Sequence, residues 1–112
     1  MLTQQSYKST VKPIFCPGCG DYGVNAALTK AFADLQLEPE NTVMVSGIGC
    51  SSSMPHTFAT YGFHSLHGRA LAVAEGIKLA NSKLNVIATG GDGDGYGIGL
   101  NHFIHAARRN VD

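Results

Sequence analysis

The residues best equipped for chemistry fall in two sets. The first is Gly90-Gly91-Asp92-Gly93-Asp94-Gly95, which follows an apolar run, Leu84 to Thr89, and precedes a helical pattern from Ile98 to Arg109. A strand that feeds a glycine-rich turn and then a helix is suited to holding a diphosphate. Glycines let backbone N–H groups approach the phosphate oxygens, and the helix N-terminus adds partial positive charge. Asp92 and Asp94 would repel a bare anion. They become useful if a divalent cation lies between carboxylate and phosphate, and Mg2+ takes such mixed ligands. Without a cation, the same residues make only an acidic, solvent-facing turn.

The second set is cysteine. The chain has three, and Cys16-Pro17-Gly18-Cys19 places two of them on one tight turn. Cys50 follows in Gly47-Ile48-Gly49-Cys50-Ser51-Ser52-Ser53. A Cys-x-x-Cys pair plus one distant cysteine suits a [4Fe–4S] cluster or a structural zinc, in either case one ligand short. A thioredoxin-like redox pair would follow a strand, whereas this one precedes the first. The remaining candidates are weaker. His67-Gly68-Arg69 could face a phosphate or an acidic substrate, or simply cap a helix in solvent. His102 and His105 lie three apart on a helix, where surface histidines are the simpler reading. His56 and His64 carry no motif, and no Ser-His-Asp arrangement is evident.

Elements that could position these residues alternate along the chain. Met1 to Lys12 is polar and reads as an extended, loosely ordered lead-in. From Asp21 to Leu37, Val24, Ala27, Leu28, Ala31, Phe32 and Leu35 repeat at helical spacing and predict a buried face. Thr42 to Ser46 reads as a buried strand running into the Cys50 loop. Met54 to Phe63 shows no period beyond one helical turn. A helix after Arg69 carries the stripe Val73, Gly76, Ile77 and Ala80. The last helix carries Leu100, Phe103, Ile104 and Ala107. Helices alternating with strands predict an α/β fold, a parallel sheet with flanking helices. In such sheets ligands bind beyond the carboxyl ends of strands, so Cys50 and Asp92 should share one rim if their strands are parallel neighbours.

Composition bounds the rest. The chain has 112 residues, of which 44% are apolar and 14% charged, with zero formal net charge, so it can fold but offers no electrostatic case for nucleic acid or an anionic membrane. No apolar run is long enough to span a bilayer and the N-terminus is not a signal sequence, so a cytoplasmic location is expected, where cysteines serve as ligands rather than disulfides.

Taken together in order, Cys16-Pro17-Gly18-Cys19-Gly20, Gly47-Ile48-Gly49-Cys50-Ser51, His67-Gly68-Arg69, Gly91-Asp92-Gly93-Asp94, Asn101-His102 and Arg108-Arg109-Asn110 strongly resemble the N-terminal part of the beta subunit of 2-oxoacid:ferredoxin oxidoreductases. The resemblance runs from about residue 14 to the end. It implies that residues 1–13 are a lead-in and 14–112 the N-terminal part of a thiamine diphosphate-binding domain of the pyrimidine/pyrophosphate type. It settles the choice between cluster and zinc in favour of the cluster.

The resemblance assigns Cys16, Cys19 and Cys50 to three thiolate ligands of a [4Fe–4S] cluster and Asp92 to a Mg2+ ligand. It implies that Gly91, Gly93 and Asp94 contact thiamine diphosphate, that Ile48, Gly49, Cys50 and Ser51 form a loop beside it, and that His67, Gly68, Arg69 and Ala70 line the diphosphate and reaction centre. His67 is the catalytic candidate. A further Mg2+ ligand and a fourth cysteine would lie past Asp112, so the chain is expected to be part of a longer one. The implied reaction is oxidative decarboxylation of a 2-oxoacid to acyl-CoA, with coenzyme A as acceptor and electrons passing to ferredoxin. An alpha (or alpha/gamma) subunit would supply the glutamate that activates the thiamine. Tyr61-Gly62-Phe63-His64 looks most like enzymes using 2-oxoglutarate or a broad range of 2-oxoacids. Two other readings compete: a non-oxidative thiamine diphosphate decarboxylase or synthase, which has no need of the cysteines, and a zinc-binding structural module.

Overall fold

The computed structural model describes residues 1–112. Its centre is β1 (Thr42–Ser46), every residue of which is buried. It pairs in parallel with β2 (Tyr61–His64) on one side and β3 (Asn85–Thr89) on the other, giving the order β2-β1-β3. Four helices complete the fold: α1 (Asp21–Asp34), the single turn α2 (Met54–Thr57), α3 (Ala70–Ala80) and α4 (Leu100–Arg109). Alternation along β1 divides the core between two faces. Met44 joins Tyr7, Phe15, Phe32, Met54 and Phe58 on one face, while Val43 and Val45 meet Ala70, Val73 and Ile77 on the other. The expected parallel sheet with flanking helices is therefore present. β1 and β3 are parallel neighbours, with Ser46 beside Thr89, so both glycine loops leave the sheet at one rim.

Four expectations need correction. The lead-in is docked: Tyr7 is fully buried, its hydroxyl donates to Leu37 O at 2.7 Å, and Lys8 bridges to Phe58. One tyrosine outweighs the polar residues around it, because a buried aromatic ring contributes more than its neighbours lose. The stretch after α2 contains a strand, β2, whose residues are all exposed. An edge strand with an open face carries no apolar period to detect.

In α1, Val24, Ala27, Ala31 and Leu35 face outward; the buried face is Asn25, Thr29 and Phe32, with Leu28 half-buried. Polar residues can face inward here because they are paired. Asn25 Nδ2 donates to Thr57 Oγ1 at 2.7 Å, and Thr29 Oγ1 to Ala26 O at 2.9 Å. Finally, α4 buries none of its predicted stripe: Leu100, Phe103, Ile104 and Ala107 are exposed. In α3, Val73 and Ile77 do pack on the core, whereas Gly76 and Ala80 are exposed.

Candidate functional site

The rim is organised by Asp94. It lies in a wide helical turn, Gly93–Ile98, that leads into α4. Its carboxylate is buried and points back under the loops. Oδ1 accepts from Gly68 N–H at 2.7 Å, His67 Nδ1–H at 2.6 Å and Ile48 N–H at 3.1 Å. Burial alone would push the Asp94 carboxyl up. The N–H groups of Gly68 and Ile48, helped by His67, outweigh that and hold it below its ordinary 3.8.

Two glycines make this approach possible. A Cβ on Gly47 would collide with the Asp94 carboxylate, and Gly68, held in the left-handed region at φ +75, lies against Gly99. The segment after β1, the segment before α3 and the turn after β3 are thus tied to one oxygen. His67 keeps about half of its side chain exposed while its Nδ1 is fixed, and its Nε2 makes no hydrogen bond within the protein.

Asp92, two residues earlier, is exposed and makes no side-chain hydrogen bond or ion pair within the protein. It lines a cleft of about 150 Å³ together with Gly68, Ala70, Thr89, Gly91 and Asp94. Thr89 Oγ1 is buried there without a hydrogen-bond partner. The cleft is smaller than the roughly 300–1,000 Å³ that encloses a drug-sized molecule. It suits the diphosphate end of a cofactor, not the whole. A free carboxylate for a cation, an unpartnered hydroxyl, open glycine backbone and the first turn of α3 are donors and ligands of the right kind for Mg2+ and diphosphate.

The cysteine loops meet beside this cleft. Cys16 and Cys50 are exposed and Cys19 half-buried, all as free thiols. Asp21 joins the loops: its N–H donates to Cys19 Sγ at 3.4 Å, and both of its carboxylate oxygens lie 3.2 Å from Ser51 Oγ. The same Ser51 Oγ is the nearest atom to a Cβ built on Gly91, at 3.9 Å. No three His, Cys, Asp or Glu side chains converge as they would around a single metal ion.

Of the predicted residues, Gly68, Ala70, Gly91, Asp92 and Asp94 line the cleft. Ile48 reaches it through Asp94, and Ser51 through Gly91. Gly93 starts the wide turn, and Gly49 and Cys50 lie on the facing loop. Arg69 does not join them: it lines a separate groove with Phe63, His64 and His102. The sequence reading missed Thr89, Tyr96 and Gly99, which also line the cleft. Thr89 had one signal, a hydroxyl at the carboxyl end of a strand.

Comparison with known proteins finds relatives of this chain. A family model for thiamine pyrophosphate enzymes, C-terminal TPP binding domain, matches residues 41–112. The chain is 57% identical over 107 residues to 2-oxoacid:ferredoxin oxidoreductase 1, subunit beta, of Aeropyrum pernix, covering 96% of this chain and 34% of that one. It is 52% identical over 98 residues to 2-oxoglutarate oxidoreductase subunit KorB of Mycobacterium tuberculosis, covering 88% and 26%. Among solved structures, 2-oxoglutarate:ferredoxin oxidoreductase from Magnetococcus marinus, with 2-oxoglutarate, coenzyme A and succinyl-CoA bound, superposes with a TM-score of 0.96 at 45% identity over 98% of this chain and 38% of that chain. The chain thus spans about a third of the length of the relatives it matches.

Proposed function

The chain belongs to the thiamine pyrophosphate enzyme family, matching its C-terminal TPP-binding domain, and from that premise we propose that it is part of the beta subunit of a 2-oxoacid:ferredoxin oxidoreductase. The observation that carries this reading is the joining of two different sites by one residue. Ser51 lies against Gly91 of the diphosphate-type cleft and is hydrogen-bonded to Asp21 of the cysteine turn. A thiamine enzyme without electron transfer has no use for the second site.

Asp92 would hold Mg2+ against the diphosphate, with Gly91 and Gly93 giving backbone access and Thr89 Oγ1 donating to a phosphate oxygen. Cys16, Cys19 and Cys50 would hold the [4Fe–4S] cluster through their thiolates. When bound, thiamine diphosphate supplies the carbon nucleophile and electron sink for decarboxylation of a 2-oxoacid, and the cluster accepts electrons singly. His67, fixed at Nδ1 by Asp94, would hold or move a proton at Nε2 beside the reacting centre. The Ile48–Ser51 loop would shield that centre from water. An alpha (or alpha/gamma) subunit would complete the site, with coenzyme A taking the acyl group and ferredoxin the electrons. No helix is long and apolar enough to cross a membrane.

The test is metal and turnover analysis of the complete complex. Iron and acid-labile sulfide are expected, with ferredoxin reduction dependent on 2-oxoacid and coenzyme A. Comparing 2-oxoglutarate, pyruvate and 2-oxoisovalerate identifies the substrate, and 2-oxoglutarate or a broad range is expected. Zinc without iron would sink the electron-transfer reading. Decarboxylation without ferredoxin reduction would favour the non-oxidative alternative.

A further inference from the structure

Asp21 is the first residue of α1, where an acidic side chain ordinarily serves its own helix terminus. Here it reaches out of the helix. Its carboxylate takes the hydroxyl of Ser51, 30 positions along the chain, with both oxygens at 3.2 Å. Its backbone N–H points at Cys19 Sγ, 3.4 Å away. The Cys16–Cys19 turn is otherwise closed by its own backbone, with Cys19 N–H donating to Cys16 O at 3.0 Å. The Cys50 loop likewise closes on itself, with Ser53 N–H donating to Cys50 O at 3.0 Å. Asp21 to Ser51 is the side-chain hydrogen bond that crosses between the two thiol-bearing loops. Asp21 takes part in none of the chain's ion pairs.

We propose that Asp21 is a positioning residue that registers the Cys16–Cys19 turn against the Cys50–Ser51 loop and sets how readily the centre held between them accepts an electron. The proposal rests on the cluster reading of those cysteines. Two contributions act in opposite directions. An N–H aimed at a ligand sulfur stabilises the added electron, and a nearby carboxylate opposes it; hydrogen bonds to sulfur and local charge are established determinants of cluster potential. Because Ser51 also lies against Gly91, the same contact fixes the spacing between that centre and the cofactor cleft.

The experiment uses the complete, iron-loaded complex and reads the cluster's midpoint potential, its EPR signature and the rate of iron release to a chelator. D21N keeps an acceptor for Ser51 and the backbone N–H but removes the charge. Its potential should rise by at least a tenfold shift in the one-electron equilibrium, 59 mV, with wild-type thiamine diphosphate content. D21A and S51A lose the crossing bond, so iron release should quicken at least tenfold. If D21N itself sheds iron, S51A carries the test, and release at the wild-type rate overturns the proposal. Wild-type potential in D21N together with wild-type release in D21A also overturns it, while leaving the cluster reading intact. A wild-type complex without iron overturns both.

Discussion

The loop Gly90–Gly95 has an inner and an outer side, and they are built by opposite rules. On the inner side, Asp94 is buried, charged and saturated by donors from two other segments. On the outer side, Asp92 is exposed and free of protein partners. Both are aspartates between glycines, two positions apart, and sequence spacing alone cannot separate them. What separates them is the turn that follows. Its wide helical geometry sends Asp94 under the β1 loop and leaves Asp92 at the mouth of the cleft. One carboxylate builds the site, and the other is left available to a ligand.

The largest effect expected from breaking this division is that of Asp94→Ala. It strands the buried N–H of Gly68 and removes the acceptor of the partly buried N–H of Ile48. An unpaired buried donor costs about 1–3 kcal/mol, so a loss of about 3 kcal/mol should be seen in denaturant titration of the complete complex. Gly47→Ala should come next, at about 1–3 kcal/mol by the same measurement, because the new methyl displaces the Asp94 carboxylate. Acid probes the same contact without mutation. Asp94 is held below its ordinary 3.8, so it favours the folded state wherever the unfolded chain would be ionised. That contribution is complete above about pH 5, and is lost as pH falls through 3.8 and on through the folded value. Asp94→Ala should remove this part of the pH dependence. Asp92→Ala should change stability least, within about 0.5 kcal/mol as for other exposed sites. It should nevertheless weaken thiamine diphosphate binding about tenfold or more, about 1.4 kcal/mol, measured by calorimetry with Mg2+ present. Equal stability losses in Asp92→Ala and Asp94→Ala would erase the distinction.

The sequence displays the loops that carry the candidate ligands and conceals the contacts that hold those loops in place. The glycine loop, the cysteine turn and the Cys50 loop stand out because their residue types and spacing are unusual. The shared rim followed from strand–helix alternation, since β1 and β3 are parallel neighbours. The inward turn of Asp94 was hidden, because its donors are backbone N–H groups, which every residue has. The α1 face was misread for a related reason: Asn25 and Thr29 face inward through hydrogen bonds that periodicity does not count. β2 was missed because it is an exposed edge. The stripe Leu100, Phe103, Ile104 and Ala107 reads as core, yet it stands open in this chain.

The central place of β1 also dictates an order of events during folding. Its two partners, β2 and β3, both come later in the chain, and each parallel pairing closes a long loop before any strand contact forms. Until residues 85–89 emerge from the ribosome, one edge of the most buried strand has no partner. The Asp94 clasp comes later still, so the cleft forms only after both strand pairings. Slow refolding and early dependence on chaperones are the expected consequences of putting the first strand in the middle.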